Sequence, residues 1–274
     1  MTTTSPAPTA PASPQIEPSA GVKSARRVLD VIEFLASRPG GASFPVLGEQ
    51  LGLPKSSLHS LLLTLTSRGW VYLDESSRQY RLGLRVWQVA QNFVYVDNLA
   101  HLARRHLTAA RDELNETVQL AVLDGVDNVY VAKVDADHLL QLVSQVGSRL
   151  PAYATGLGKV LLSGLETAEL RRRMAGTTIK HFTEKTITSL DVLEERLAEI
   201  RAQGYGADEG EYTPGVYCVA VPVKDSGGQV IAAMSCSIPD ARIARAGEAH
   251  DRLVQSLSRH AAALSRELSN LGLS

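Results

Sequence analysis

The stretch LGLPKSSLHSLLLTLTSRGWV, residues 51–71, decides the fold of the N-terminal part of the chain. Gly52 permits a sharp turn of the backbone, and Pro54 suits the first turn of a helix. The apolar residues that follow recur at a spacing that places them on one helical face. They are Leu58, Leu61, Leu62 and Leu65. The polar residues at the start of this helix are therefore expected to face away from the core.

The segments on either side complete a small domain of three helices and a hairpin. Residues 23–35 show a helical spacing of apolar residues that Pro39-Gly40-Gly41 ends, and a short helix is expected around Leu47. After the third helix, WVYLD and RQYRLG bracket the polar turn Glu75-Ser76-Ser77, a pattern that predicts a β-hairpin. Residues 22–83 are thus predicted to form a winged helix-turn-helix.

The rest of the chain divides into a tail, a linker and a second domain. Residues 1–21 hold almost no large apolar side chains and are expected to be a disordered tail. Residues 84–115 show helical patterns and are expected to link the two domains. Residues 116–274 are assigned to the C-terminal domain.

Apolar runs and helical patterns alternate in this C-terminal domain. Strand pairs are expected on either side of Asp124-Gly125 and of Gly227-Gly228, with another strand at 139–145. Helices are expected at 156–174, 189–203 and 245–270. This order predicts an α+β fold whose largely antiparallel sheet is flanked by helices.

Composition restricts the class of protein. A chain of 274 residues with 44% hydrophobic residues is expected to form two domains. The chain has two cysteines, Cys218 and Cys236, which are too few for a disulfide scaffold and do not have the spacing of a zinc site. Both are expected to be small buried residues. No metal and no cofactor are expected. The sequence has neither a long apolar run nor a secretory signal, which predicts a cytoplasmic protein without a membrane span.

Charge is unevenly distributed along the chain. The formal net charge is −1, but residues 22–95 hold nine Lys or Arg against five Asp or Glu. Residues 96–274 hold 19 basic and 23 acidic residues. This asymmetry favours contact between the N-terminal part and a polyanion.

The third helix and its surroundings supply candidate contacts to double-stranded operator DNA. A helix fits the major groove with its first residues at the base edges, while neighbouring elements lie across the phosphates. The candidates for base contacts are Lys55, Ser56, Ser57, His59 and Ser60. The candidates for phosphate contacts are Lys23, Arg26, Arg27, Arg78 and Arg81. For each residue the alternative is an ordinary solvated surface position.

The chain resembles the IclR family of bacterial regulators along nearly its whole length after the tail. Beside the opening stretch, the resemblance rests on SARRVLDVIEFL, YRLG, ETVQLAVLDG, LPAYATGLGKVLL, GYGADEGEYTPGVYCVAVPV and SCSIP. It implies a winged helix-turn-helix, a linker helix and an effector domain similar to GAF domains, assembled as a homodimer or tetramer on palindromic operators. Family members often carry Arg where Ser60 stands, so their base preference does not transfer to that position.

The resemblance also implies a ligand site for a small carboxylic acid. The matching positions are Gly156, Leu157, Asp208, Cys218, Ser235 and Ser237. Independently, a helix that starts at Gly156 offers free N–H groups to an anion, and Ser235 and Ser237 share one face of a strand. Tyr153, Leu157 and Leu142 are expected to supply an apolar wall. The alternatives are a plain helix start and a cysteine that only fills the core.

These expectations favour a transcriptional regulator whose operator binding responds to an organic or aromatic acid. The resemblance implies a repressor, with an activator of a catabolic operon as the alternative. One rival is an enzyme with a DNA-binding head, but the chain has no G-x-S-x-G, H-E-x-x-H or dinucleotide fingerprint. Glu209 and Glu211 would share a strand face, but paired catalytic carboxylates are not favoured there. A second rival is a winged helix that contacts protein.

Overall fold

The computed structural model describes residues 22–90, 94–137, 144–243 and 249–271. The chain divides into two compact units, of which the first ends at Phe93 and the second begins at Val94. The predicted tail 1–21, Leu142 and most of the predicted strand 139–145 lie outside the described residues.

The first unit consists of helices around a two-stranded sheet. Its elements are α1 (Lys23–Ala36), α2 (Phe44–Gln50), α3 (Lys55–Ser67), β1 (Val71–Asp74), β2 (Gln79–Leu82) and α4 (Leu84–Ala90). Strands β1 and β2 pair antiparallel, and Gly52 has the positive φ of 60° that the turn before α3 requires. Leu58, Leu62 and Leu65 are buried in one core, whereas Leu61 is only half-buried. The predicted winged helix-turn-helix is confirmed.

The second unit is built on a six-stranded antiparallel sheet with the order β5-β4-β3-β8-β7-β6. Its strands are β3 (Thr117–Asp124), β4 (Asp127–Val134), β5 (Arg149–Pro151), β6 (Gly206–Asp208), β7 (Val216–Lys224) and β8 (Val230–Pro239). Its helices are α5 (Val94–Leu114), α6 (Gly156–Ser163), α7 (Thr167–Met174), α8 (Leu190–Gln203), α9 (Asp240–Ile243) and α10 (Ala249–Asn270), with a 3₁₀ turn at Ala152–Ala154. The predicted α+β class with an antiparallel sheet is confirmed.

The alternation of side chains along the strands separates two cores. Val118, Val219 and Cys236 point to one face, where they are buried with α5 and α10. Ala121 and Ala220 point to the other face, where they are buried with α6 and α8. The second face carries the polar residues of the candidate ligand site.

The segment 84–115, expected to be one linker, is divided between the two units. Helix α4 lies in the first unit, whereas α5 belongs to the second. The reason is that α5 has an apolar face, with Leu99, Ala103 and Leu107 buried in the same core as α10. Burial of this face ties α5 to the sheet.

Two local expectations differ from the structure. The helix predicted at 156–174 is interrupted between α6 and α7. Glu209 and Glu211 do not share a strand face, because β6 ends at Asp208. The Asp208 carboxylate accepts hydrogen bonds from the N–H groups of Gly210 and Glu211, which turns the chain after the strand. Within the described ranges, no helix combines the length and apolar character of a membrane span.

Candidate nucleic-acid interface and ligand site

The start of α3 presents a polar surface. Lys55, Ser56, His59 and Ser60 are exposed, and Ser57 is half-buried. Leu58, one turn into the helix, is fully buried and fixes the orientation of α3 against the first core. The polar side chains of this turn are therefore free to contact a partner.

Hydrogen bonds within α3 limit what Ser60 can do. Its hydroxyl donates to the carbonyl oxygen of Ser56 at 3.1 Å, so its proton is used within the helix while its oxygen can still accept. Leu63 is an exposed residue that the sequence analysis did not single out, with 62% of its surface accessible. It lies one turn beyond His59, where its methyl groups suit contact with a thymine methyl. The run of three leucines at 61–63, which gives no sign of which member is exposed, concealed this exposure.

The candidate phosphate contacts lie on α1 and on the hairpin. Lys23 and Arg26 are exposed in the first turn of α1, and Arg27 is half-buried. At the hairpin tip, Arg78 donates to the Glu75 carboxylate at 2.6 Å, and both side chains are largely exposed. Exposed ion pairs contribute little to stability, so Arg78 can exchange Glu75 for a phosphate.

Arg81 is less available than Arg78. It is half-buried on β2 and lies 3.7 Å from the Asp74 carboxylate. Hydrogen bonds from the Ser76 hydroxyl and the Ser77 backbone lower the pKa of Asp74 to about 2, so this carboxylate remains ionised. Arg81 is thus held beside a permanent negative charge.

Two rows of polar side chains cross the sheet of the second unit on the face covered by α6. Paired positions on adjacent strands make up the first row, which contains Asp208, Cys218, Ser237 and Thr117. The second row contains Ser235, Gln119 and Lys133. The Cys218 sulfur lies 3.0 Å from the Ser237 hydroxyl oxygen. The strand register thus brings the predicted Asp208, Cys218, Ser235 and Ser237 onto one surface.

The start of α6 meets this surface. A Cβ atom on Gly156 would lie 3.5 Å from the Asp208 nitrogen and 3.5 Å from the Cys218 oxygen, so the helix begins against β6 and β7. Thr155 caps α6, because its hydroxyl accepts from the Gly158 N–H at 3.0 Å. Leu157 is buried beside this turn. Gly156 and Leu157 are therefore gathered with Asp208 and Cys218.

Tyr153 was expected to form an apolar wall, but its hydroxyl has polar partners. The ring is buried, while the hydroxyl donates to the Lys180 carbonyl oxygen at 3.1 Å and accepts from the Lys180 N–H at 2.7 Å. Tyr153 thus holds the segment around Lys180 against the turn before α6.

A buried ion pair lies next to the site. Lys159 on α6 is 0% exposed, and its ammonium group bonds to Oε1 of Glu211, which is 8% exposed. The other carboxylate oxygen, Oε2, has no hydrogen-bond partner among the described residues. This pair links α6 to the turn after β6. No spacing in the sequence points to it, since the two residues are 52 positions apart.

Burial controls the protonation of Asp208 and Cys218. It raises the pKa of Asp208 to about 6, against the opposing effects of the Glu211 N–H group and the Lys159 charge. Cys218 is half-buried and not fully buried as expected, whereas Cys236 is buried; the enclosed position of the Cys218 sulfur raises the pKa of its thiol to about 12. Cys218 is therefore a neutral thiol at pH 7, suited to a weak hydrogen bond and unsuited to nucleophilic attack.

We expect Asp208→Asn to change how stability depends on pH. In the wild type the unfolded carboxyl ionises near its ordinary pKa of 3.8, whereas the folded one stays protonated up to about 6. The free energy of unfolding therefore falls as pH rises through this window, by about 3 kcal/mol for a shift of about two units. The variant keeps the oxygen that accepts from Gly210 and Glu211 but has no such loss.

Urea unfolding of both proteins at several pH values measures this effect. The stability of the variant relative to the wild type should increase between about pH 4 and pH 8, while carboxyl groups distant from Asp208 cancel in the comparison. A difference that stays constant over this range would contradict the raised pKa of Asp208.

Four polar residues of this face were not singled out in the sequence. They are Gln119, Asn128, Tyr130 and Ser144, all of them buried. Gln119 donates to the Ser144 hydroxyl at 2.6 Å, and Asn128 accepts from the Thr155 hydroxyl at 2.8 Å. The signal for Gln119, Asn128 and Tyr130 in the sequence is a polar or hydroxyl-bearing residue on an otherwise apolar strand, whereas Ser144 lies outside the strands.

Comparison with known proteins identifies the family. Residues 24–75 match the model of the IclR helix-turn-helix domain, and residues 91–266 match the C-terminal domain of the bacterial transcriptional regulator IclR. The chain is 34% identical over 247 residues to the HTH-type transcriptional regulator XynR of Escherichia coli, covering 90% of this chain and 97% of that protein. It is 31% identical over 237 residues to the transcriptional repressor IclR of Escherichia coli, covering 86% of this chain and 84% of that protein.

A solved structure supports the fold. The crystal structure of an IclR homologue from Microbacterium hydrocarbonoxydans in complex with 4-hydroxybenzoate has a TM-score of 0.78 and 24% identity, and the match covers 90% of this chain and 99% of that one. The two Escherichia coli relatives are named as regulators of transcription and not as enzymes. This chain is a DNA-binding regulator that belongs to the IclR family of bacterial transcriptional regulators.

Proposed function

We propose that this chain is a cytoplasmic, homo-oligomeric repressor whose affinity for its operator is changed by a small organic or aromatic acid. In this proposal residues 22–83 bind DNA, and the sheet of the second unit binds the acid. The observation that carries it is the meeting of the α6 start with Asp208, Cys218 and Ser237 on one polar surface.

The exposed start of α3 supports the DNA-binding half. Lys55 offers donors to guanine or phosphate oxygens, and Ser56 and His59 lie beside it on the accessible surface. The basic residues of α1 and the hairpin lie in the same unit, which suits contact with the backbone on either side of a groove. A dimer that reads two half-sites, or a tetramer built from two such dimers, agrees with the usual symmetry of helix-turn-helix proteins.

The ligand half is supported by the chemistry of the polar surface. The N–H groups at the start of α6 favour an anion, and the Ser235 and Ser237 hydroxyls and the neutral Cys218 thiol add hydrogen bonds without adding charge. An acid is thus a suitable ligand, as it is for the homologue solved with 4-hydroxybenzoate. Repression is favoured by the name of the Escherichia coli relative.

Regulation requires that the acid bind two arrangements of the protein with different affinity. Only this difference can shift the population that binds the operator. An acid with equal affinity for both arrangements would stabilise the protein and leave transcription unchanged.

We expect Lys55→Ala to weaken binding to the DNA upstream of the gene by roughly tenfold or more, since a side chain that contacts bases or phosphates contributes about 1–3 kcal/mol. Fluorescence anisotropy with the full-length protein measures the affinity over a series of salt concentrations. The wild type should show a steep loss of affinity with salt. Lys224→Ala, at an exposed lysine of the second unit, is the matched control and should bind as the wild type does.

The same assay tests regulation when a panel of carboxylic and aromatic acids is added. At least one acid that raises the melting temperature should change the operator affinity. Wild-type protein that binds random duplex as well as the upstream fragment would overturn the DNA-binding proposal. An acid that stabilises the protein but never alters operator affinity would overturn the regulatory one.

A further inference from the structure

Asn128 carries a buried amide whose NH₂ group lacks an acceptor. The side chain lies on β4, is 0% exposed and faces the same side of the sheet as Tyr130. Its Nδ2 atom makes no hydrogen bond of good geometry to any residue that the structure describes, and its interaction with the Tyr130 hydroxyl engages at most one of its two N–H groups. Buried donors are almost always paired in folded proteins, so an unpaired one requires an explanation.

The capping bond of Thr155 fixes which end of the amide is unpaired. The Thr155 oxygen accepts from the Gly158 N–H at 3.0 Å, and its single proton is then donated to Asn128 at 2.8 Å. The Asn128 atom that receives this proton must be the carbonyl oxygen Oδ1. Exchanging the two ends of the amide would leave the Thr155 proton without an acceptor, so Nδ2 is the free end.

Other donors surround this free amide. The Asn128 amide and the Ser144 hydroxyl interact with the Tyr130 hydroxyl, whose pKa is raised by burial, so the phenol keeps its proton. Gln119 on β3 donates to Ser144. Lys133, beside Gln119 in the strand register, is a cation with a side chain only 12% exposed that also pairs with Asp135.

The two sides of the site therefore differ in character. Asp208 lies on β6, at one edge of the sheet, and Glu211 lies in the turn that follows. Asn128 and Tyr130 lie on β4, next to the opposite edge. One side holds carboxyl groups, and the other offers hydrogen-bond donors and a nearby cation.

We propose that Asn128, Tyr130, Ser144 and Gln119 form a second oxygen-binding subsite, in which the free Asn128 amide donates to an acceptor oxygen of the ligand. The ligand is then an acid with a second acceptor oxygen, such as a dicarboxylate, and not a simple monocarboxylate. This inference rests on the proposed function and narrows the class of its ligand.

Matched pairs of acids test the subsite on the full-length protein. Terephthalate is compared with 4-methylbenzoate, and adipate with heptanoate, by calorimetric titration and by the shift in melting temperature. The two acids of each pair are similar in size, but only the dicarboxylate carries oxygen atoms at the end opposite the first carboxylate. We expect the dicarboxylate of at least one pair to bind at least tenfold more tightly than its partner.

The variant Asn128→Asp tests the contribution of the Asn128 amide donor to this preference. It keeps the acceptor for Thr155 but replaces the free donor with a carboxyl oxygen. The tenfold preference for the dicarboxylate should disappear, because its far carboxylate loses the amide donor and meets a carboxyl group instead. Gln255→Glu, at an exposed position of α10, makes the same chemical change as a control and should keep the preference.

Tyr130→Phe keeps the test decisive if Asn128→Asp does not fold, because it removes only a hydroxyl group and should reduce the preference severalfold. Equal binding of both members of each pair to the wild type, or a preference that survives these variants, overturns the subsite and leaves the proposed function standing. If no acid of either kind binds, the proposed ligand function itself fails, and the subsite with it.

Discussion

Lys159→Met will lower the free energy of unfolding by about 3–5 kcal/mol, the usual cost of breaking a buried ion pair. Lys159 is fully buried and bonds to Glu211, so its removal leaves a carboxylate in a low-dielectric environment without its cation. Met preserves most of the side-chain volume, so a cavity contributes little. Urea unfolding monitored by circular dichroism measures the change.

The double variant Lys159→Met/Glu211→Leu distinguishes the cost of an unpaired charge from the cost of altered packing. Replacing both partners with apolar residues removes the unpaired carboxylate, and it should restore most of the lost stability. Lys180→Met, at an exposed lysine of the same unit, should change stability by less than about 0.5 kcal/mol. A Lys159→Met protein as stable as the wild type would show that water or another group solvates Glu211.

Gly158→Ala should destabilise the second unit by about 1–3 kcal/mol or more and abolish binding of acids. A Cβ atom at this position would lie 2.2 Å from the Cα atom of Ala152 and 2.3 Å from its carbonyl oxygen, and both atoms belong to backbone that cannot rotate away. The start of α6 must move to relieve the clash, and its N–H groups move with it. Thermal unfolding and calorimetric titration with an acid that binds the wild type measure the two effects.

Gly156→Ala is the control for stability. It lies two residues earlier in the same helix, and its Cβ would make contacts of 3.5 Å or more, which is ordinary van der Waals distance. We expect its melting temperature to remain close to that of the wild type. Equal losses of stability in the two variants would mean that the approach to Ala152 does not determine the effect, since helix propensity alone favours Ala over Gly at both positions.

The first unit was predictable because its signals are local. The leucine spacing of α3, the Gly52 turn and the hairpin turn each involve residues close in sequence, and their combination gives one fold. In the second unit the edge strands β5 and β6 were missed, since three residues are too few for a visible alternation.

The ligand site was predictable only where a family resemblance supplied positions. The rows across the sheet depend on register between distant strands, as when Gln119 pairs with Ser235. Asn128 and Tyr130 stand in an apolar run whose inward face is fixed by packing alone. Glu209 and Glu211 were misplaced because the Asp208 turn that ends β6 rests on backbone donors that are invisible in sequence.

The place where the chain divides has a practical consequence for building chimeric sensors. Helix α5 supplies Leu99, Ala103 and Leu107 to the core of the second unit. A fusion that begins at residue 116 would strip this apolar layer from the sheet and invite aggregation. A fusion junction on the N-terminal side of Val94 keeps this layer intact. DNA-binding domains of related regulators are therefore best exchanged at that point.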